Sequence, residues 1–420
     1  MATRKCLQLL KIPNRRLFHG NNALLKEGPS FPGAQTTWTE KLSFVTKSSY
    51  APIPVYRVMD RKGSVIDPEG DPQLPRETLL KMYKDMRTLN ILDKILYESQ
   101  RQGRISFYMT NYGEEAIHIG SAAALDLEDV IYGQYREAGV LVWRGFTAQQ
   151  FVDQCYGNRD DLGKGRQMPV HYGAKHLNFV TISSPLSTQM PQAVGAAYAL
   201  KGKGRVVVCY YGDGAASEGD AHAAFNFGAT LECPVILFCR NNGYAISTPV
   251  KDQYRGDGVA ARGPAFGIHT LRVDGNDVFA VYNATKLAKK YCLEESKPVV
   301  VEAMAYRLGH HSTSDDSTAY RSQDEVDQWA TTDNPATKMK IYLMKKGLWS
   351  EDEEKKFLKE KREEVMTAFT AGEKKPKPNW NECFKDVYKF MPEHIEKQMN
   401  DMKKHVDKYK KQYPVDQYET

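Results

Sequence analysis

Residues 206–244 read VVVCYYGDGAASEGDAHAAFNFGATLECPVILFCRNNGY. An apolar run, Val206 to Tyr211, ends in Gly212-Asp213-Gly214, and a helical pattern follows. A second run, Val235 to Phe238, ends in Arg240-Asn241-Asn242-Gly243. This is strand, glycine turn, helix, strand. Short runs of β-branched and aromatic residues without polar alternation suit parallel strands buried on both faces. The ligand crevice of such a sheet lies outside the carboxyl ends of its strands. Asp213 and Asn242 are expected to meet there, on neighbouring strand ends.

Asp213 offers a carboxylate and Asn242 an amide. Oxygen ligands suit magnesium, which takes few protein ligands and completes its shell with phosphate oxygens. A helix over Ser217 to Glu232 begins at this place, and a helix N-terminus favours phosphate. Arg136 and Arg240 bring positive charge to strand ends. Together these residues describe a magnesium-diphosphate pocket. Taken singly, Asp213 and Asn242 also read as ordinary turn residues. A dinucleotide fingerprint fails, because Ser217 stands where the third glycine belongs and no acid sits on the second strand end. A Walker loop fails for want of Gly-Lys-Ser/Thr. His310 and His311 are adjacent and point apart, which argues against a shared metal. A single histidine on a strand-end loop suits proton or hydrogen-bond donation. The hydroxyl-rich run after it, Ser312 to Ser322, reads as a solvated loop. If it borders the site, phosphorylation there opposes a diphosphate.

The chain has 420 residues, 41% of them hydrophobic and 26% charged, as in a globular protein with a sizeable core. No apolar run approaches the ~20 residues of a membrane helix. Seven scattered cysteines form neither a CxxC nor a Cys/His cluster, and read as reduced thiols. Of the 58 basic residues, six fall within residues 1–26, which hold no acid; the remainder balances at 52 basic against 52 acidic. That excludes a nucleic-acid-binding body and gives the leader the composition of a mitochondrial transit peptide. Residues 27–75, with Pro52, Pro54, Pro68, Pro72 and Pro75, read as an extended arm without its own core. Residues 76–330 read as the α/β domain. It opens with a helix from Arg76 to about Gln102 and a small-residue helix from Glu114 to Leu125. The stretch 157–179 is too punctuated by glycine for regular structure. Further helices are expected from Pro191 and over Val278 to Tyr291, with strands at His269 to Val273 and Val299 to Ala303. Residues 331–420 read as a helical region packed on the same domain, with a capping box at Ser350 to Glu353.

Gly212-Asp213-Gly214, then 26 residues, then Asn241-Asn242, matches the motif of thiamine-diphosphate enzymes. Longer stretches are more specific: GAASEGDAHAAFNF, ECPVILFCRNNGYAIST, GQYREAGVL, TISSPLSTQMPQAVGAAYA and YRLGHHSTSDDSTAYRSQDEV. From about residue 45 the chain resembles the alpha subunits of mitochondrial branched-chain 2-oxo acid dehydrogenases, the decarboxylase component of those complexes. The resemblance implies a thiamine-diphosphate-binding fold, a mostly parallel sheet flanked by helices with a helical C-terminal extension. It implies magnesium on Asp213, Asn242 and the Tyr244 backbone. It implies diphosphate on Arg136, Arg240, Gly214 and Ala215, with Gln134 and Tyr135 nearby. Ser184 and Leu186 would contact the cofactor rings, and His311 would face the reactive carbon. Ser183, Pro185, Thr188 and Gln189 match a potassium loop, Ser312 the main kinase target and Ser322 a second one. The shorter carboxylate, Asp213, stands where branched-chain enzymes carry Glu, and either suits magnesium. The implied setting is the mitochondrial matrix. The implied partners are a beta subunit in an α2β2 heterotetramer, a lipoyl-bearing acyltransferase core, and a regulatory kinase and phosphatase. The glutamate that activates the cofactor belongs, in this family, to the beta subunit. The assembly is expected to bury the small-residue helices at 114–125 and 191–200. The rival readings are the same chemistry on pyruvate, a nicotinamide-dependent dehydrogenase, and a non-catalytic subunit.

Overall fold

The computed structural model describes residues 31–33 and 36–419; the leader expected over residues 1–26 lies outside them. The chain falls into two units, Met1–Ala51 and Pro52–Thr420. Among the described residues of the first, the regular structure is a 3-10 turn at Lys47–Ser49.

The second unit is built on parallel strands. In chain order these are β1 (Val130–Tyr132), β2 (Phe179–Val180), β3 (Val207–Gly212) and β4 (Val235–Asn241). A small antiparallel pair follows, β5 (Tyr244–Ala245) and β6 (Thr248–Pro249). Then come β7 (His269–Asp274) and β8 (Val299–Met304). The six-stranded sheet has the order β2-β1-β3-β4-β8-β7, and all its pairs are parallel. Strand order reverses between β1 and β3, which is where open parallel sheets form their crevice. In register, Gly212 lies opposite Arg240, so the polar residues after β3 and β4 emerge side by side.

The helices before β3 are α1 (Arg76–Arg101), α2 (Glu115–Ala123), α3 (Ala138–Trp143), α4 (Ala148–Tyr156) and α5 (Gln189–Ala199). Around the later strands lie α6 (Gly219–Thr230), the single turns α7 (Val250–Gln253) and α8 (Arg262–Ala265), and α9 (Val278–Glu295). The C-terminal helices are α10 (Gln323–Thr332), α11 (Pro335–Lys345), α12 (Glu351–Glu373) and α13 (Glu393–Lys408). Strand side chains alternate between two layers, as a two-residue period requires. Val208, Tyr210, Ile236 and Phe238 join the core that includes Leu89, Leu96, Ile117 and Val281 of α1, α2 and α9. Val207, Cys209, Val235 and Leu237 join Ala193, Val194, Ala224 and Phe225 of α5 and α6. Truncating Phe238 to alanine in such a core costs about 3–5 kcal/mol.

The stripe Leu79, Tyr83, Met86, Leu89, Leu92 and Leu96 is buried along α1. Ser350 caps α12 by accepting from the Glu353 amide at 3.3 Å. Five of the six described cysteines are buried, and all six are free thiols. Three expectations change. The 157–179 stretch is not wholly irregular: it holds a 3-10 turn at Lys175–Leu177, and Phe179 pairs with Ile131 to start an edge strand. The helix after Gly214 starts at Gly219, behind a 3-10 turn at Ala215–Ser217. The small residues of α2 serve this chain itself. Residues 115–122 are all buried, and a Cβ at Gly120 would meet the Val278 carbonyl of α9 at 2.6 Å. The outer face of α5 differs: a Cβ at Gly195 would meet open space, and Tyr198 is 56% exposed.

Candidate active site

Four adjacent strands deliver their following residues to one place. Gln134, Tyr135 and Arg136 follow β1, Asp213, Gly214 and Ala215 follow β3, Asn242 and Tyr244 follow β4, and His311 lies on the loop after β8. With Arg240 and Leu186 they line a single cavity of about 40 Å³. The backbone holds it closely: a Cβ on Gly214 would lie 2.7 Å from that of Ala245. Gln134 accepts from the Gly212 amide at 2.9 Å, tying the β1 turn to the β3 turn.

Asp213 is buried, and its carboxylate accepts from Gln253 Nε2 at 2.5 Å. Burial pushes its carboxyl up, and none of the described salt bridges includes it. Asn242 donates from Nδ2 to Glu114 at 2.7 Å, so its Oδ1 lies on the other edge of the amide, accepting from the Tyr244 amide at 3.3 Å. A buried carboxylate lacking a cation, an oriented amide oxygen and a nearby backbone carbonyl form a hard-oxygen set that fits magnesium. Asn241 does different work: it donates to Glu302 at 2.8 Å and to Tyr254 at 3.0 Å inside the core.

The arginines are held by groups that the sequence reading missed. Arg240 donates from Nη1 to Glu114 at 2.5 Å and from Nε to Glu137 at 2.5 Å. Arg136 Nε lies 3.7 Å from Glu114, and its Nη1 donates to the Thr110 carbonyl. Glu137 also accepts from the Gln134 amide at 2.8 Å. Burial alone would raise the Glu114 carboxyl, but Arg240 and Arg136 outweigh it and hold it below the usual range. Glu114 stands at the start of α2 and Glu137 beside Arg136, so both read locally as helix-start residues. Their partner Arg240 is 126 and 103 residues away.

His311 is half-buried, with Tyr135 edge-on at 6.0 Å. Its carbonyl accepts from Arg136 Nη2 at 2.8 Å, and its Nδ1 faces the same nitrogen at 3.4 Å and Arg307 Nη1 at 3.5 Å. Burial, then Arg136 and Arg307, lower its pKa to about 3. It is neutral at pH 7. With Nδ1 turned to two guanidiniums, the proton belongs on Nε2, which makes it a hydrogen-bond donor without positive charge. His310 lies apart, its Nδ1 accepting from the Ser317 amide at 3.0 Å.

The other candidate residues fall outside this cavity. Ser184 is exposed and bonds His171 Nε2 at 2.8 Å. Thr188 Oγ1 reaches Ser183 Oγ at 3.3 Å and the Pro185 carbonyl at 3.1 Å, so three members of the potassium set meet. Gln189 instead donates to the Tyr210 carbonyl at 3.1 Å. Ser187, at φ +65°, anchors this loop to the Ala215 carbonyl at 2.5 Å. Ser312 is buried and accepts from the Ser314 amide at 3.2 Å, whereas Ser322 is an exposed cap of α10. A larger cavity, 860 Å³, is lined by Tyr244, Tyr306 and Trp329 but by none of the other candidates. Among the described residues, no helix is long and apolar enough to cross a membrane.

Residues 83–381 match the family model of the dehydrogenase E1 component. The human protein "2-oxoisovalerate dehydrogenase subunit alpha, mitochondrial" is 60% identical over 397 residues, covering 94% of this chain and 89% of that one. The protein of the same name from Caenorhabditis elegans is 59% identical, over 91% of this chain and 89% of its own. "2-oxoisovalerate dehydrogenase subunit alpha 1, mitochondrial" from Arabidopsis thaliana is 48% identical, over 91% and 82%.

Proposed function

The chain belongs to the dehydrogenase E1 component family, and on that premise we propose how its cavity works. It is the alpha subunit of a mitochondrial branched-chain 2-oxo acid dehydrogenase, an oxidoreductase that depends on thiamine diphosphate and on a beta subunit. Thiamine diphosphate, when bound, supplies the carbanion chemistry by which a 2-oxo acid loses carbon dioxide and its acyl group passes to a lipoyl group. The chain's own residues bind and orient.

In this reading Asp213, Asn242 and the Tyr244 carbonyl hold magnesium. Arg136, Arg240 and the Gly214 and Ala215 amides hold the diphosphate, with Gln134 and Tyr135 beside it. Ser184 and Leu186 meet the cofactor rings. Ser183, Pro185, Thr188 and Gln189 take potassium and steady that loop. His311 donates a hydrogen bond from Nε2 at the reacting end without adding charge. The supporting observation is the convergence of Asp213, Asn242, Arg136 and His311 on one cavity. A cavity of about 40 Å³ walls only one end of a cofactor of this size, which favours an α2β2 assembly whose beta subunit completes the site. The open outer face of α5 suits such packing. The lipoyl-bearing core, a kinase and phosphatase acting at Ser312 and Ser322, and targeting by residues 1–26 complete the proposal.

The test is direct. The chain assembled with its beta subunit, thiamine diphosphate and magnesium decarboxylates 3-methyl-2-oxobutanoate faster than pyruvate. A preference for pyruvate replaces the substrate, and no cofactor-dependent rate with either acid overturns the reading.

A further inference from the structure

Glu114 carries no role in the cofactor motif, yet it touches three of the groups that do. It is fully buried. Oε2 accepts from Arg240 Nη1, while Oε1 accepts from Asn242 Nδ2 at 2.7 Å and faces Arg136 Nε at 3.7 Å. We propose that Glu114 is a positioning residue for the metal, aligning the Asn242 amide while balancing the charge of the two cradle arginines. This rests on the functional reading above.

Two physical points carry it. An amide presents two donors on nitrogen and only acceptors on oxygen. A carboxylate can take only the NH2 edge, so anchoring that edge turns Oδ1 to the opposite side. Residues behind a ligand commonly set its orientation and affinity in this way, worth about 10–100-fold in metal binding. The second point is charge. Arg136 and Arg240 meet two buried carboxylates, Glu114 and Glu137, all within hydrogen-bonding or ion-pair reach. The cradle is therefore already balanced before any ligand arrives. The arginines give the diphosphate directional donors, while the surplus positive charge it needs comes from the metal. Cofactor binding without magnesium is accordingly weak in this protein.

Glu137 provides a matched control. It bonds Arg240 as Glu114 does but does not touch Asn242. A role limited to holding the buried arginine predicts that both glutamates behave alike. The experiment uses the assembled α/β complex and follows thiamine diphosphate binding by fluorescence quenching as magnesium is raised. Glu114→Gln is expected to raise the half-saturating magnesium concentration at least tenfold, and Glu137→Gln less than threefold, while both lower the melting temperature of the cofactor-free complex. If Glu114→Gln fails to assemble, Glu114→Asp keeps the charge near Arg240 and draws the carboxylate back from Asn242; the same rise is expected. Equal shifts in the Glu114 and Glu137 variants, or none in any Glu114 variant, overturn the proposal. If the wild-type complex shows no magnesium-dependent cofactor binding, the functional reading falls instead.

Discussion

Arg136 and Arg240 are clamped by carboxylates, whereas Arg307 and Arg321, also buried, hold backbone carbonyls and hydroxyls. Arg307 donates to the carbonyl of Ile246 and to the Tyr320 hydroxyl, at 2.8 and 2.6 Å. Arg321 donates to the carbonyls of Arg307 and Gly309. Among the described residues, neither has a carboxylate within ion-pair reach. The first pair makes a charge-balanced cradle that is complete within this chain. The second pair is balanced only indirectly, by Asp315 and Asp316 of the loop after β8: Asp315 accepts from the Tyr320 hydroxyl that also accepts from Arg307, each at 2.6 Å. A balanced cradle resists rearrangement. A loop ordered through neutral carbonyls and hydroxyls can be switched by a local charge, and Ser312 lies within it.

The two pairs meet at His311, whose ring and carbonyl face Arg136 and whose ring also faces Arg307. The largest effect is therefore expected from His311→Ala. It should lower kcat about 10²–10³-fold, the usual cost of removing one positioned hydrogen-bond donor, while leaving α/β assembly intact. Near-normal turnover would remove His311 from the reaction.

The arginine comparison can be broken directly in denaturant melts. Arg240→Met strands two buried carboxylates and should cost about 3–5 kcal/mol. Arg321→Met strands neutral carbonyls and should cost less, about 1.5–3 kcal/mol. Equal losses would show that the carboxylates do not distinguish the pairs. On the loop side, Ser312→Glu places a charge where Ser312 is buried, and should lower activity several-fold. Unchanged turnover would argue against control through this loop.

The smallest effect is one of pH. An unfolded histidine titrates near ~6.5, whereas His311 in the fold does so at about 3 because of burial and the two arginines. The unfolded chain takes the proton first as pH falls. The stability contributed by His311 is thus complete above pH ~6.5 and is lost from there toward about 3. Asp93 and Glu115, raised by burial to about 7, act with the opposite sign. They cancel when wild type is compared with His311→Gln. Wild type should lose more stability than the variant between pH 7.5 and 5.5, and parallel losses would contradict the neutral assignment.

Much of this was legible because strand burial writes itself locally. The runs at 206–211, 235–238 and 299–303 needed no partner information to read as parallel strands, and the polar residues after them marked the crevice. β2 was not legible: two residues, Phe179 and Val180, become a strand only through pairing with Ile131 and Tyr132. Glu114 and Glu137 were missed because a glutamate at a helix start has an ordinary local explanation. The α2 alanines and glycine signalled close packing correctly, but composition does not name the partner, which proved to be α9 of the same chain.

The most direct measurement is a crystal structure of the α/β complex grown with thiamine diphosphate and magnesium. The account predicts density for one metal ion bonded to Asp213, Asn242 Oδ1 and the Tyr244 carbonyl, with the diphosphate against Arg136 and Arg240. Diphosphate density in the cavity beside Tyr306 and Trp329, with Asp213 still bonded to Gln253, would contradict it.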